Sequence, residues 1–515
     1  MSATAVAFAL YARVAWPWLV LGWVGLVPWL TVLDRARTWR GTLAASLLLC
    51  ELFVAAVFAW FVPAIASYTG MLRPVALVVI LVLAPLLEPQ FVAYALVRRL
   101  AVRHGMGWST AAVAAAGMYV GVEWVWPKVF ADTLGQGLYA SALLRQAADL
   151  GGTAGLTFVV LLSNECGAAM LRAAAAARGR QALLAPAAAV ATMLAALLLY
   201  GGLRIRQVDN EPALEPVVAG IVQSNLSRYN RLRAEMGAFD TVRLILDTHF
   251  SLSGQVLGGA PLDVLIWPET VYPTTFGTPK NELGADFDRE IAGFVQQTQT
   301  PLIFGAYDVE GGHEFNAAVF LEPSDDGRVA FDTYRKAALF PFTERVPALL
   351  DSPGLRRRFP WLGTWTPGPG GEVVDLMLRG GRTLRVAPLI CYDAIDPRLA
   401  IAAVRRGAEL IVTLSNDSWF AHGQGPHLHL VLSAFRSIET RRPQFRATTT
   451  GMSAVITATG ELTETLDVDR RATVRGVAAP RHAPWTLMLA WGDWFGPTGL
   501  VASLVALAFA AARCR

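Results

Sequence analysis

Leu384-Arg385-Val386-Ala387-Pro388-Leu389-Ile390-Cys391-Tyr392-Asp393 is a β-patterned run that ends on a cysteine and then turns polar. A thiol at the end of a buried strand has two readings. It can be a small core residue, since free cysteine is among the most buried residue types. It can also be a nucleophile presented at a strand end. The residues elsewhere in the chain bear on the choice.

The chain has 515 residues, 54% of them hydrophobic and 16% charged, with a mean hydropathy of +0.42. Soluble domains carry about a quarter charged residues. The deficit is uneven: 1–203 and 484–515 are apolar, whereas 204–483 reads as an ordinary soluble domain holding most of the acids. This predicts N-terminal transmembrane helices over 1–203, an extramembrane domain over 204–483 and a C-terminal transmembrane helix with a short tail over 484–515. A net charge of +4 gives no reason to expect nucleic acid as a partner. Of the four cysteines, Cys50, Cys166, Cys391 and Cys514, only Cys391 lies in the polar domain, and no CxxC is present. A disulfide framework and a zinc site are both unexpected.

A membrane helix needs roughly 20 apolar residues. Apolar blocks fall at 4–33, 42–66, 74–97, 108–126, 152–171, 182–203 and 485–511. The first block contains Trp16-Pro17-Trp18 and Pro28 and reads as one tilted helix or two short ones, giving six or seven helices before the domain. Three alternate loops are arginine-rich: Arg35, Arg37 and Arg40; Arg98, Arg99 and Arg103; and Arg172, Arg178 and Arg180. The positive-inside rule places these loops in the cytoplasm and the domain on the outer face. Glu88 is expected to face the bundle interior and Glu123 to sit at the interface.

The polar domain alternates strands and helices. Strands are expected at 216–223, 262–267, 302–306, 383–391, 410–415, 445–449 and 454–457, a hairpin at 316–321 with 329–334, and one last strand after Gly460. Helical spacing covers 232–253, 286–299, 397–407 and 429–440. The order predicts an α/β domain, in which active residues gather where strands end. Glu269 ends a strand in Ile266-Trp267-Pro268-Glu269, and Lys336 follows Tyr334-Arg335. A carboxylate can take a thiol's proton and an ammonium can stabilise an oxyanion, so Glu, Lys and Cys together suit acyl transfer. Spacing alone does not bring the three together.

Those segments, with Pro341-Phe342-Thr343-Glu344, Ser415-Asn416-Asp417-Ser418-Trp419-Phe420, Gly425-Pro426 with His429, and Arg446-Ala447-Thr448-Thr449-Thr450-Gly451-Met452-Ser453, resemble the nitrilase (carbon–nitrogen hydrolase) superfamily. With membrane blocks before and after the domain, the whole resembles the bacterial apolipoprotein N-acyltransferase family within it. The resemblance implies a transmembrane helix bundle plus an extramembrane α/β, nitrilase-like αββα sandwich. It implies Glu269 as general base, Lys336 as oxyanion stabiliser and Cys391 as nucleophile, with help from the Tyr392 backbone N–H. It also implies supporting roles for Glu344, Asp393, Asn416, Trp419 and His429, no cofactor and no metal. The acyl donor would be a phospholipid, typically phosphatidylethanolamine, and the acceptor a diacylated apolipoprotein. The protein would be a monomer in the bacterial inner membrane with its catalytic domain on the periplasmic face.

The sequence departs from the family pattern at three places. Asp393 stands where glutamate is usual, Thr343 where glycine is usual, and Leu232 where a tryptophan is expected after Gln223-Ser224-Asn225. These departures leave the triad intact and fall on its surroundings. They keep open a membrane-tethered amidase or an acyltransferase with a different acceptor. The intact triad argues against a non-catalytic scaffold. Two further features have plain readings. His422, His427 and His429 have no standard metal-ligand spacing, and the Gly363–Gly371 stretch is a loop with no phosphate-cradling context. Phe340, Phe342, Val346, Leu349 and Leu350 can form either core or a lipid-touching lid.

Overall fold

The structure is a computed structural model that describes every residue except 131, 178, 227–228, 325, 421–422, 483 and 514–515. Arg178, His422, Cys514 and Arg515 therefore lie outside the described residues. The chain divides into two compact units. One comprises Met1–Asp209, Ala421–Val431 and Thr486–Arg515; the other comprises Asn210–Phe420 and Leu432–Trp485.

The first unit is helical. Among the described residues, five segments are long and apolar enough to cross a membrane: Trp18–Arg35, Trp39–Val57, Leu144–Ala175, Gln181–Asn210 and Phe495–Arg513. A bent pair, Phe61–Thr69 with Arg73–Leu87, turns through 117°. The chain is a multi-pass membrane protein. Several apolar blocks are more broken than their hydropathy suggests. Block 4–33 takes the two-helix alternative, Ser2–Tyr11 and Val27–Arg35, with a tight turn Trp18–Trp23 leading into the second. Block 74–97 is two helices, Arg73–Leu87 and Pro89–Arg103, which meet at Glu88. Proline lacks an N–H and fits the first helical position, so Pro89 starts a helix where the hydropathy shows no break. Helix Trp108–Val125 packs on Phe495–Arg513 through small residues: a Cβ on Gly117 would stand 2.5 Å from Ser503 Oγ and 2.8 Å from the Gly499 carbonyl oxygen. Close backbone approach of this kind is how helices associate in lipid. Glu88 is buried, as its inward expectation requires, and Lys128 Nζ lies 3.6 Å from both Glu88 and Glu123 and 3.2 Å from Asp132. Glu123, expected at the interface, is enclosed beside this lysine, its side chain 6% exposed.

The second unit is a two-sheet sandwich. Its strands are β1 (Val217–Gln223), β2 (Val264–Ile266), β3 (Leu302–Glu310), β4 (His313–Pro323), β5 (Val329–Arg335), β6 (Val374–Met377), β7 (Thr383–Ile390), β8 (Leu410–Ser415), β9 (Gln444–Thr448), β10 (Ser453–Ile456), β11 (Leu462–Leu466) and β12 (Ala472–Ala478). The sheet orders are β12-β1-β2-β3-β4-β5 and β11-β10-β9-β8-β7-β6. In each, the central pairs are parallel and the flanking pairs antiparallel. The buried face between the sheets joins Ile221, Ile266 and Phe320 of the first to Val386, Val412 and Phe445 of the second. Helices Ala238–Leu257 and Glu282–Thr298 cover the outer face of the first sheet with Leu246, Ile291 and Val295. On the second sheet, Pro397–Arg405 packs over β7, and Gly425–Thr440 reaches β9 through the bond from Gln444 Nε2 to Ser433 Oγ. The arrangement is the expected αββα sandwich. The expected 232–253 helix is two, Tyr229–Met236 and Ala238–Leu257, broken at Gly237, whose φ of +91° favours glycine. The region after Gly460 holds two strands rather than one. Strand β6, an edge strand of four residues, has too short a pattern to be read from sequence.

Candidate active site

Three parallel strands deliver polar groups at their ends: β2 leads to Glu269, β7 to Cys391 and β8 to Asn416. Lys336 immediately follows β5. Glu269 can sit where it does because its neighbour on β3 is glycine. A Cβ on Gly305 would lie 2.6 Å from Glu269 Cα, and the Gly305 N–H donates to the Pro268 carbonyl at 3.0 Å.

Cys391 opens a tight turn, Cys391–Ile395, with φ +49°. A non-glycine residue there is uncommon and needs its surroundings to hold it. Asp393 provides the hold. One carboxylate oxygen, Oδ2, accepts from the Ile390 N–H at 3.0 Å and from the Tyr334 hydroxyl at 2.9 Å. The other, Oδ1, accepts from the Ala338 N–H at 2.6 Å and the Ala337 N–H at 3.1 Å. Asp393 is wholly buried, yet four donors satisfy it. It fastens the cysteine turn to the segment that follows Lys336. Burial pushes its carboxyl up from an ordinary 3.8 to about 6, against the pull of the Ala338 and Ile390 N–H groups and Lys336.

Lys336 is 2% exposed and lies between two carboxylates. Its Nζ is 3.1 Å from Glu269 Oε1 and 2.8 Å from Glu344 Oε1. Asn316 Nδ2 donates to the same two oxygens, at 2.8 Å and 3.2 Å. Glu269 Oε2 accepts from the Asn416 N–H at 2.7 Å, and Glu344 Oε2 from the Phe340 N–H at 2.7 Å. Burial alone would lower the Lys336 pKa, but the charges of Glu269 and Glu344 outweigh it and hold the ammonium well above the usual lysine range. Cys391 responds the opposite way. Burial and the Glu269 charge raise the thiol well above its ordinary value, and Lys336 only partly opposes them. Glu269 and Lys336 thus act on the thiol in opposite directions. Cys391 is also 4% exposed and part of the core between the sheets, as the packing reading expects.

The remaining sequence candidates divide. Asn416 serves Glu269 through its backbone, while its side chain accepts from the Ser418 N–H at 3.2 Å. Trp419 meets Phe340 edge-on with ring centroids 4.2 Å apart, and Phe340 meets Tyr392 at 5.0 Å. His429 is buried on helix Gly425–Thr440, in the part that groups with the membrane unit. The five apolar residues after Lys336 split: Phe340 and Val346 are buried, whereas Phe342, Leu349 and Leu350 are exposed. The positive φ in this turn falls on Phe342, at +66°, and not on Thr343, so threonine meets no strain there.

Sequence reasoning did not single out Asn316, which bridges both acids. Its signal was a polar residue opening the apolar run of β4. It also left Asp417 and Arg446 as parts of motifs. Asp417 lies within 4.8 Å of the Cys391 sulfur, accepts from Ser415 Oγ at 2.7 Å and pairs with Arg446 Nη2 at 3.0 Å, all deeply buried.

The chain is similar to known proteins. The carbon–nitrogen hydrolase family matches residues 241–474, and the apolipoprotein N-acyltransferase N-terminal domain matches residues 3–166. The chain is 28% identical over 472 residues to the apolipoprotein N-acyltransferase of Chlorobaculum tepidum, covering 84% of this chain and 81% of the relative. It is 29% identical over 389 residues to that of Bdellovibrio bacteriovorus, covering 72% of this chain and 68% of the relative. Among solved structures, a carbon–nitrogen hydrolase from Helicobacter pylori is similar at 18% identity with a TM-score of 0.33, covering 51% of this chain and 89% of that one.

Proposed function

The chain belongs to the bacterial apolipoprotein N-acyltransferase family of carbon–nitrogen hydrolases, and from that premise we propose that it transfers an acyl chain from a membrane phospholipid to the N-terminal amine of a diacylglyceryl-cysteine lipoprotein through a thioester on Cys391. One observation carries this reading: a buried ammonium held by two carboxylates acts on a thiol at a strained strand end.

A thiol attacks as thiolate, so Cys391 needs a base at the moment of attack. Glu269 takes the proton as sulfur attacks the ester carbonyl of the donor. Lys336 and the Tyr392 backbone N–H stabilise the oxyanion. The intermediate collapses with loss of the lysophospholipid alkoxide, which takes the proton back from Glu269, leaving acyl-Cys391. The lipoprotein α-amine then attacks the thioester and Glu269 takes its proton. The thiolate departs, and the same proton returns to sulfur. Phosphatidylethanolamine is the proposed donor. The three arginine-rich loops support a place in the inner membrane with the sandwich on the outer face.

Two measurements test the reading. Mass spectrometry of a lipoprotein N-terminus, in cells depending on this protein, is expected to find a third acyl chain; finding none overturns the assignment. Incubation with phospholipid should leave an acyl group on Cys391, and Cys391→Ala should not label. Release of free fatty acid, with water as the acceptor, would mark a hydrolase instead.

A further inference from the structure

A cleft of about 450 Å³ opens in the membrane unit where helices Val27–Arg35, Pro89–Arg103 and Ala148–Ala175 end and where Trp39–Val57 and Trp108–Val125 begin. Four arginines line it, Arg98, Arg99, Arg103 and Arg172, against two carboxylates, Asp34 and Glu165. The carboxylates are already engaged. Arg98 Nε pairs with Glu165 and its Nη1 with Asp34 at 2.8 Å, while Arg172 Nη1 takes the other Asp34 oxygen at 2.7 Å. Among the described residues Arg99 meets uncharged acceptors only: the Ala36 and Arg37 carbonyls, each at 2.7 Å, and Thr42 Oγ1 at 3.0 Å. Its guanidinium is 5.1 Å from the centre of the Trp39 ring. Arg103 is exposed and makes no ion pair among the described residues. Two guanidinium charges thus face the cleft uncompensated, and one of them is fixed in direction by three acceptors.

Trp39 and Trp108, 37% and 43% exposed, flank this end of the bundle, as aromatic residues do at headgroup depth. Basic pockets between helix ends at that depth suit anionic headgroups. We propose that this cleft binds the phosphate of an anionic phospholipid, such as phosphatidylglycerol or cardiolipin. A phosphodiester presents oxygens to a guanidinium fork. An ethanolamine headgroup would instead bring its ammonium towards two unneutralised arginines. The site is separate from the strand-end thiol chemistry and does not rest on it.

The test uses the full chain in nanodiscs of mixed phosphatidylglycerol and phosphatidylethanolamine, released into native mass spectrometry, with wild type beside Arg99→Gln/Arg103→Gln. Wild type should retain phosphatidylglycerol over phosphatidylethanolamine, and each lost arginine should weaken retention about fivefold. Inorganic phosphate in the buffer should not displace the lipid. Equal retention of the two lipids, unchanged retention by the double variant, or displacement by millimolar phosphate would each overturn the proposal. Arg103→Gln alone serves if the double variant does not fold, since Arg103 is exposed and makes no ion pair among the described residues. Thioester formation on Cys391 should be unchanged in either variant, so failure here and failure of the acyltransferase reading are told apart.

Discussion

Glu344 holds the Lys336 ammonium at 2.8 Å, closer than Glu269 does at 3.1 Å. The proposed base therefore does not fix the lysine by itself; a second carboxylate, anchored to the Phe340 N–H, shares the load. Glu344→Gln should keep the fold but leave Lys336 drawn towards Glu269. Thioester formation is expected to fall by about 10²-fold, the scale of one lost electrostatic contact at such a site. Single-turnover labelling of Cys391 measures it, and a rate within twofold of wild type would show that Glu344 is dispensable.

Removing the cation should cost stability as well as activity. Lys336→Met leaves Glu269 and Glu344 buried without their counter-charge, a change of about 3–5 kcal/mol. Thermal unfolding of the purified protein in detergent should show the loss, and Lys336→Met/Glu344→Gln should recover part of it while remaining inactive.

Asp393 gives a pH dependence with a defined sign. Its folded pKa, about 6, lies above its ordinary 3.8, so folding favours the protonated form. That contribution is fully present below about pH 4 and lost as pH rises through about 6, a swing of about 3 kcal/mol. The melting temperature of wild type minus that of Asp393→Asn should therefore fall between those pH values and stay level above them. A flat difference would mean that the buried carboxylate is not strained. At any pH the variant should label poorly, because an amide cannot accept from all four donors.

Gly305→Ala tests how the base is positioned. The added methyl meets backbone, with Glu269 Cα 2.6 Å away, so the 268–270 loop must shift. Overpacking of this kind costs about 1–3 kcal/mol. The expected outcome is a protein that folds with lower stability and loses most of its acyl transfer. Substitution at Gly293, where nothing lies within 4 Å, should do neither.

The sandwich was legible because its central strands are apolar runs ending in polar groups: Leu410–Ser415 and Thr383–Ile390 are nearly read off the page. Strands β6 and β12 were not, because edge strands alternate with water and leave short, weak patterns. In the membrane unit hydropathy found the apolar mass but not its breaks, since Glu88-Pro89 interrupts a helix without interrupting the hydrophobicity. The site was legible only in part. Glu269, Lys336 and Cys391 lie far apart in sequence, and a resemblance grouped them. Asn316 and Asp393 act by geometry that spacing does not carry. The shorter acid at 393 reaches four donors, from Tyr334, Ala337, Ala338 and Ile390.

The turn after Lys336 has one more consequence. Phe340 is packed under Trp419 and Tyr392, and Glu344 returns to its N–H; between them Phe342 stands partly in the open with a left-handed backbone. These five residues thus carry an aromatic ring in the open and a carboxylate on the Lys336 ammonium. The carboxylate that holds Lys336 and the exposed ring of Phe342 therefore share one short stretch of backbone.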